Sequence, residues 1–351
     1  MPRHRPDVAK PAGHDAAASG GRGRATLVLA CRAVDPRPIG MFDSGFGGLT
    51  VARAVIDLLP GEDLVYVGDT ARYPYGPRPL DEVRAFAEQL TRHLVDVHDV
   101  KLVVVACNTA AAAALDHLAE LVEVPVIGVI EPGSRSLVAA TRSGRVGVIG
   151  TVGTVASGAY QQAVAEAAAA SVPASGSGGP ARDLDAGTPG EAAPAGPDVE
   201  LTCAACPGFV EFVERGETDS DQVRVLAERL LAPVRDAGVD TLLLGCTHYP
   251  YLARTIADVM GREVVLVSSA DETGFAVRAR LEADDALAPP RRRPAVHRFA
   301  STGDTTWFRD LGRRLLGPEL DHVEHVRLGP VPPGGRPGRA PARGPCPGTT
   351  P

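Results

Sequence analysis

The sequence predicts an α/β fold of two similar lobes, each a mostly parallel sheet flanked by helices, with the active site in the cleft between them. Three observations lead to this expectation. Apolar, β-branched runs alternate with helical patterns between residues 38 and 301. Many of the runs are apolar on both faces, as parallel strands covered by helices are. Two cysteines stand in mirrored contexts: Cys107 follows Leu102-Val103-Val104-Val105-Ala106, and Cys246 follows Leu242-Leu243-Leu244-Gly245. Each therefore falls at the carboxyl end of a buried strand, where open α/β sheets bind ligands.

The strands expected from these runs are Pro38–Phe42, Asp63–Val67, Lys101–Ala106, Val124–Ile130, Arg145–Gly150, Val199–Thr202, Thr241–Gly245, Glu263–Val267 and His297–Ser301. Helical patterns between them include Leu49–Leu59, Asp81–Val97, Thr109–Val122, Thr154–Ala168, Ser220–Ala237 and Tyr251–Met260. Residues 1–36 are rich in Ala, Gly, Arg and Pro and are expected to form a disordered leader. Residues 328–351 have the composition of a disordered tail, and about 168–198 that of a flexible surface insertion. The expected lobes are 37–134 plus 275–327, and 135–274.

The chain has 351 residues, 44% of them hydrophobic, and a net charge of −7. The mild acidity argues against nucleic acid as the main partner. The six cysteines, Cys31, Cys107, Cys203, Cys206, Cys246 and Cys346, are scattered in a chain too large to need a disulfide framework. A reduced, cytoplasmic setting follows. No apolar run is long enough to span a membrane. Residues 25–31 faintly suggest a lipoprotein signal ending at Cys31, but the apolar stretch is too short for one.

Four segments bear on chemistry. Gly40–Gly48 follows the first strand and opens a helix; it lacks the P-loop lysine and the dinucleotide-binding glycine spacing. It either presents Asp43 and Ser44 to a cleft or uses Asp43 as a helix cap. Gly68–Gly76 follows the second strand as a stiff turn, either a ligand loop or a plain surface loop. Cys107 and Cys246 read together as two bases facing one substrate, and a helix N-terminus past each would lower its thiol pKa. The alternative is packing, since free Cys behaves as a small hydrophobe. Thr109 and Thr247 offer hydroxyls for a carboxylate, and His248 can exchange protons with Cys246.

Zinc is disfavoured: Cys246-Thr247-His248 is not a structural zinc spacing, and Cys203-Ala204-Ala205-Cys206 has no second half. Incidental packing is the reading for Cys203. Lysine is nearly absent, only Lys10 and Lys101. The first lies in the leader and the second begins a strand at the end away from the cleft, so pyridoxal phosphate has no suitable Schiff-base lysine.

With these residues in hand, the chain resembles the glutamate racemases. The matching motifs are FDSGFGGLTV (42–51), YVGDTARYPYG (66–76), ACNTA (106–110), VIGT (148–151), CPGFVEFVERG (206–216) and LGCTHYP (244–250). The two cysteine motifs alone would indicate only the wider aspartate/glutamate racemase superfamily, so aspartate is the alternative substrate. The resemblance implies a cofactor-independent enzyme that interconverts L- and D-glutamate and supplies D-glutamate for peptidoglycan. It implies that Cys107 takes the α-proton from D-glutamate and Cys246 from L-glutamate. Asp43 assists Cys107; His248 and Glu214 assist Cys246. Asp43, Ser44, Pro74, Tyr75, Gly76, Cys107, Asn108, Thr109, Cys246, Thr247 and His248 match substrate-binding positions, with no metal. A homodimer is expected. DNA gyrase is a second partner that the family suggests, with the leader as its candidate carrier. Two departures stand out: Gly208 puts a small residue beside a site motif, and Ser268-Ser269 stands where many relatives have an acidic residue.

Overall fold

The computed structural model describes residues 35–171, 198–289 and 293–330. Most of the leader, insertion and tail segments therefore lie outside the described residues.

The chain alternates as expected. The first half runs β1 (Ile39–Asp43), α1 (Leu49–Leu58), β2 (Leu64–Gly68), α2 (Leu80–His98), β3 (Leu102–Val105), α3 (Asn108–Leu121), β4 (Val126–Gly128) and α4 (Ile130–Ala140). Then come β5 (Arg145–Gly150), α5 (Val152–Ala156), α6 (Ala159–Ala170), β6 (Glu200–Ala205), α7 (Phe209–Arg215), α8 (Asp221–Leu230) and α9 (Ala232–Asp236). The remainder is β7 (Thr241–Gly245), a 3-10 turn (Tyr249–Leu252), α10 (Ala253–Met260), β8 (Val265–Ser268), α11 (Ser269–Ala283), β9 (His297–Ser301), α12 (Thr305–Leu316) and β10 (Val323–His325).

Among the described residues the strands form two sheets, and every pairing in both is parallel. One has the order β10-β9-β2-β1-β3-β4; the other is β6-β5-β7-β8. The central strands β1, β3 and β7 are buried along their whole length, which is why their sequences are apolar on both faces. In each sheet the first half-crossover returns beside the earlier strand, so β1 lies between β2 and β3, and β5 between β6 and β7. The carboxyl ends of β1, β3, β5 and β7 deliver the residues of the cavity described below.

Several boundaries differ from expectation. The helix expected over 154–168 is two, because Gly158 takes a left-handed conformation (φ 76°) between α5 and α6. The second of these runs to Ala170, so the first residues of the expected insertion are helical. The helix expected over 220–237 divides at Leu231, with Pro233 in the opening turn of α9 where its missing N–H costs nothing. The strand expected over 124–130 shortens to three residues because Ile130 already begins α4. Glu131-Pro132-Gly133-Ser134 lies in the opening of that helix, where Pro132 needs no N–H partner. Strand β10, three residues at a sheet edge, carried no pattern long enough to detect.

Lys101 lies just before β3, at the sheet end away from Cys107. It is buried, with Nζ 2.6 Å from Glu62 and donating to the carbonyls of Asp35 (3.0 Å) and Ala286 (2.7 Å). Its charge is thus committed to tying three distant segments together.

Candidate active site

Strand β1 ends at Asp43 and the chain turns sharply into α1. The Asp43 carboxylate makes that turn: Oδ1 accepts from the Gly45 N–H at 2.7 Å. Gly48, not Asp43, is the N-cap of α1. The turn exposes Ser44 to a cavity and holds Asp43 just beneath it, where Oδ2 accepts from the Thr247 hydroxyl at 3.5 Å. Burial pushes the Asp43 carboxyl above the ordinary range; nearby His248 and the hydrogen bonds from Gly45, Gly48 and Thr247 oppose the shift.

Strand β3 leads into Cys107, which is the N-cap of α3 and accepts from the Ala110 N–H at 3.5 Å. Its thiol also reaches the Ser44 hydroxyl at 3.6 Å. Asn108 and Thr109 open the helix beside it. The Thr109 hydroxyl meets Thr151 at 3.0 Å and Thr154 at 3.2 Å, joining α3 to the cap of α5.

Strand β7 leads into Cys246, Thr247 and His248. The Cys246 sulfur lies 3.9 Å from His248 Nδ1, and His248 Nε2 lies 3.6 Å from Glu214 Oε1 on α7. A thiol, an imidazole and a carboxylate thus stand in series. The His248 ring is packed edge-on by Phe46, centroids 5.0 Å apart. Gly47 admits this ring: a Cβ there would sit 2.4 Å from Nδ1 and 2.6 Å from the Thr247 hydroxyl. Gly47→Ala is therefore expected to destabilise the fold by about 1–3 kcal/mol, as overpacking does. Thermal unfolding checks this, and an unchanged melting temperature would refute the close packing.

Of the twelve residues singled out from the sequence, ten line one cavity of about 100 Å³: Ser44, Pro74, Tyr75, Gly76, Cys107, Asn108, Thr109, Cys246, Thr247 and His248. The other two, Asp43 and Glu214, stand behind its wall, each against a lining residue. The volume suits a small molecule, well under the ~300 Å³ at which pockets for larger ligands begin. The Gly68–Gly76 segment, expected as either a ligand loop or a plain surface loop, packs inward at its end: Tyr75 is buried with its hydroxyl donating to Asp69. Asp69 is in turn held by Arg72 (2.6 Å) and the Thr302 hydroxyl (2.7 Å). The Gly153 N–H donates to the Gly76 carbonyl at 2.9 Å and closes that side.

The cavity also recruits Tyr73, Thr151, Cys206 and Glu211, to which sequence reasoning gave no role. All four stood inside the quoted motifs 66–76, 148–151 and 206–216, so their position was the available signal. Cys206 is buried in the wall, whereas Cys203 lies on β6 outside the cavity lining. Gly208 has a positive φ of 95° as the N-cap of α7, which accounts for glycine there. Ser268 caps α11, its side chain accepting from the Ala270 N–H.

One electrostatic expectation is reversed. Burial pushes the Cys107 thiol up to about 11, with the Asp43 charge adding to it and the Ala110 N–H opposing. Burial pushes Cys246 up further. The helix N-terminus beside Cys107 is real but loses to desolvation. After Cys246 comes a 3-10 turn, begun three residues on, and the His248 N–H opposes the rise without overcoming desolvation. Among the described residues no three His, Cys, Asp or Glu side chains are grouped to hold a metal ion. Among the same residues no helix is long and apolar enough to cross a membrane.

Residues 48–195 match the model of the Asp/Glu/hydantoin racemase family. The chain is 50% identical over 286 residues to a glutamate racemase of Acidothermus cellulolyticus, covering 82% of this chain and 97% of the relative. It is 48% identical over 291 residues to that of Mycobacterium leprae, covering 83% and 96%. A crystal structure of a glutamate racemase isoform from Bacillus anthracis superposes with a TM-score of 0.72 at 37% identity, covering 83% of this chain and 98% of that one. The Francisella tularensis glutamate racemase, solved in complex with D-glutamate, gives 0.71 at 31% identity, covering 84% and 99%. The fold, the pairing of two strand-end cysteines across one cavity, and half-identity over almost the full length of such relatives agree: the chain belongs to the glutamate racemase family, a family of isomerases.

Proposed function

We propose that this enzyme interconverts L- and D-glutamate by two-base proton transfer between Cys107 and Cys246, and so supplies D-glutamate for peptidoglycan in the cytoplasm. The observation that carries the reading is that one small cavity is lined both by the buried Cys107 thiol, from the end of one sheet, and by the buried Cys246 thiol, from the end of the other; a third buried thiol, Cys206, stands in its wall. A carbon acid inverts when one base removes its proton and a second group returns one to the opposite face. Two thiols from separate lobes, 37–134 with 275–327 and 135–274, meet that need.

The α-hydrogen of an amino acid is very weakly acidic, and its own carboxylate stabilises the carbanion poorly. Preorganised donors in a dry site therefore carry the stabilisation. Ser44, Asn108, Thr109 and Thr247, with the backbone at Tyr75-Gly76, are the donors for the two carboxylates; Pro74 stiffens that loop. The desolvated Asp43 carboxylate holds the substrate ammonium charged and serves Cys107. His248 takes the thiol proton of Cys246, and Glu214 stabilises the resulting imidazolium. In this reading Cys246 deprotonates L-glutamate while Cys107 protonates the other face; the roles exchange for D-glutamate.

The direct test is circular dichroism of the purified protein with L- or D-glutamate and no added cofactor. Both signals are expected to decay to the racemic endpoint. A folded protein that leaves both unchanged would sink the reading, and a parallel assay with aspartate would then decide the substrate.

A further inference from the structure

Asn108 is the one asparagine in the chain. It opens α3 directly after Cys107, is buried, and lines the cavity. Its amide is half satisfied. Oδ1 accepts a 2.6 Å hydrogen bond from the Tyr160 hydroxyl, while Nδ2 has no partner. A buried donor without an acceptor is costly, and one that faces a cavity marks where a ligand acceptor belongs.

Tyr160 is itself out of reach of any substrate. It sits on α6, buried, and is absent from the cavity lining. Its ring is wedged under the end of β7: a Cβ on Gly245 would lie 2.9 Å from its Cε2. One face of the residue thus supports the strand end that delivers Cys246, and its hydroxyl reaches the residue after Cys107. Burial, with the charge of Cys246, pushes the phenol above its ordinary range, so it stays an O–H donor at working pH.

An amide taken alone fits either way round. Here the phenolic proton needs an acceptor, and among the described residues Asn108 Oδ1 is its hydrogen-bond partner. The reversed amide would strand that proton and turn a carbonyl oxygen toward the substrate. We propose that Tyr160 is a positioning residue: through Oδ1 it holds the Asn108 amide with Nδ2 turned into the cavity, as a donor reserved for a substrate carboxylate. This rests on the amino-acid substrate reading above and adds to it the group that orients one carboxylate donor.

The test uses Tyr160→Phe, which keeps the ring and removes only the hydroxyl, alone and combined with Asn108→Ala. Protein labelled with nitrogen-15 asparagine gives one side-chain NH2 signal pair, because the chain has one asparagine. In the ligand-free protein Tyr160→Phe is expected to move that pair. It is expected to raise KM for both enantiomers about 5–10-fold, the worth of one oriented hydrogen bond, with kcat changed less than about threefold. In the Asn108→Ala background Tyr160→Phe is expected to add nothing further. An unmoved signal pair with unchanged KM would overturn the proposal, as would an equal KM penalty in both backgrounds. If the unmutated enzyme does not racemise glutamate, the glutamate reading fails instead, and the ligand-free signal pair still decides the role of Tyr160.

Discussion

Cys107→Ala and Cys246→Ala are each expected to slow glutamate racemisation by more than about 1,000-fold, the upper range for loss of a positioned acid or base. That corresponds to about 4 kcal/mol of transition-state stabilisation. Both sulfurs are buried against one cavity, and alanine leaves no proton-transfer group at that face. The two enantiomers have equal free energy, which requires kcat/KM to fall equally in both directions for either variant. The variants separate instead in hydrogen exchange. Cys107→Ala keeps Cys246 and should exchange the α-hydrogen of L-glutamate in deuterium oxide without inversion; Cys246→Ala should do so with D-glutamate. Circular dichroism reads the inversion and mass spectrometry the exchange. A folded variant that still racemises within tenfold of the parent would exclude its cysteine as a base.

Between pH 7 and 9, kcat/KM is expected to rise with pH, by up to roughly tenfold per unit, for both enantiomers. The sign follows from the thiols. Burial holds Cys107 near 11 and Cys246 higher, so at neutral pH the free enzyme carries mostly two neutral thiols. The reacting form has one thiolate and one thiol, and its fraction grows as the first proton leaves. At higher pH the second proton leaves as well, no acid remains, and the rate falls, so the two macroscopic values belong to the pair. A profile that is flat from pH 7 to 9 would show that His248 already holds Cys246 as a thiolate in the free enzyme. Stability runs the opposite way at the alkaline end. The contribution of neutral Cys107 is full below its ordinary value of 9.0 and is lost as pH rises toward about 11, because only the unfolded thiol ionises freely.

The order of elements was legible because parallel strands must be apolar on both faces and their helices on one. Val103 to Val105 and Leu242 to Leu244 could be little else, and the cysteine after each had to emerge at a strand's carboxyl end. Short elements were not legible. The three residues of β10 and the opening of α4 have too few positions to show a period, and packing decides them.

Chemistry divided the same way. The sequence by itself determined the candidate groups and their positions at strand ends, because those depend on local pattern and motif. It could not determine their electrostatics. The thiols are pushed up rather than down because side chains from both sheets exclude water from them, and desolvation is a property of the packed whole. Nor could it pair Asn108 with Tyr160, 52 residues away, or Asp43 with Thr247, 204 residues away. Only the tertiary structure decided which distant polar groups satisfy one another, because burial forces each to find a partner wherever folding brings one within reach.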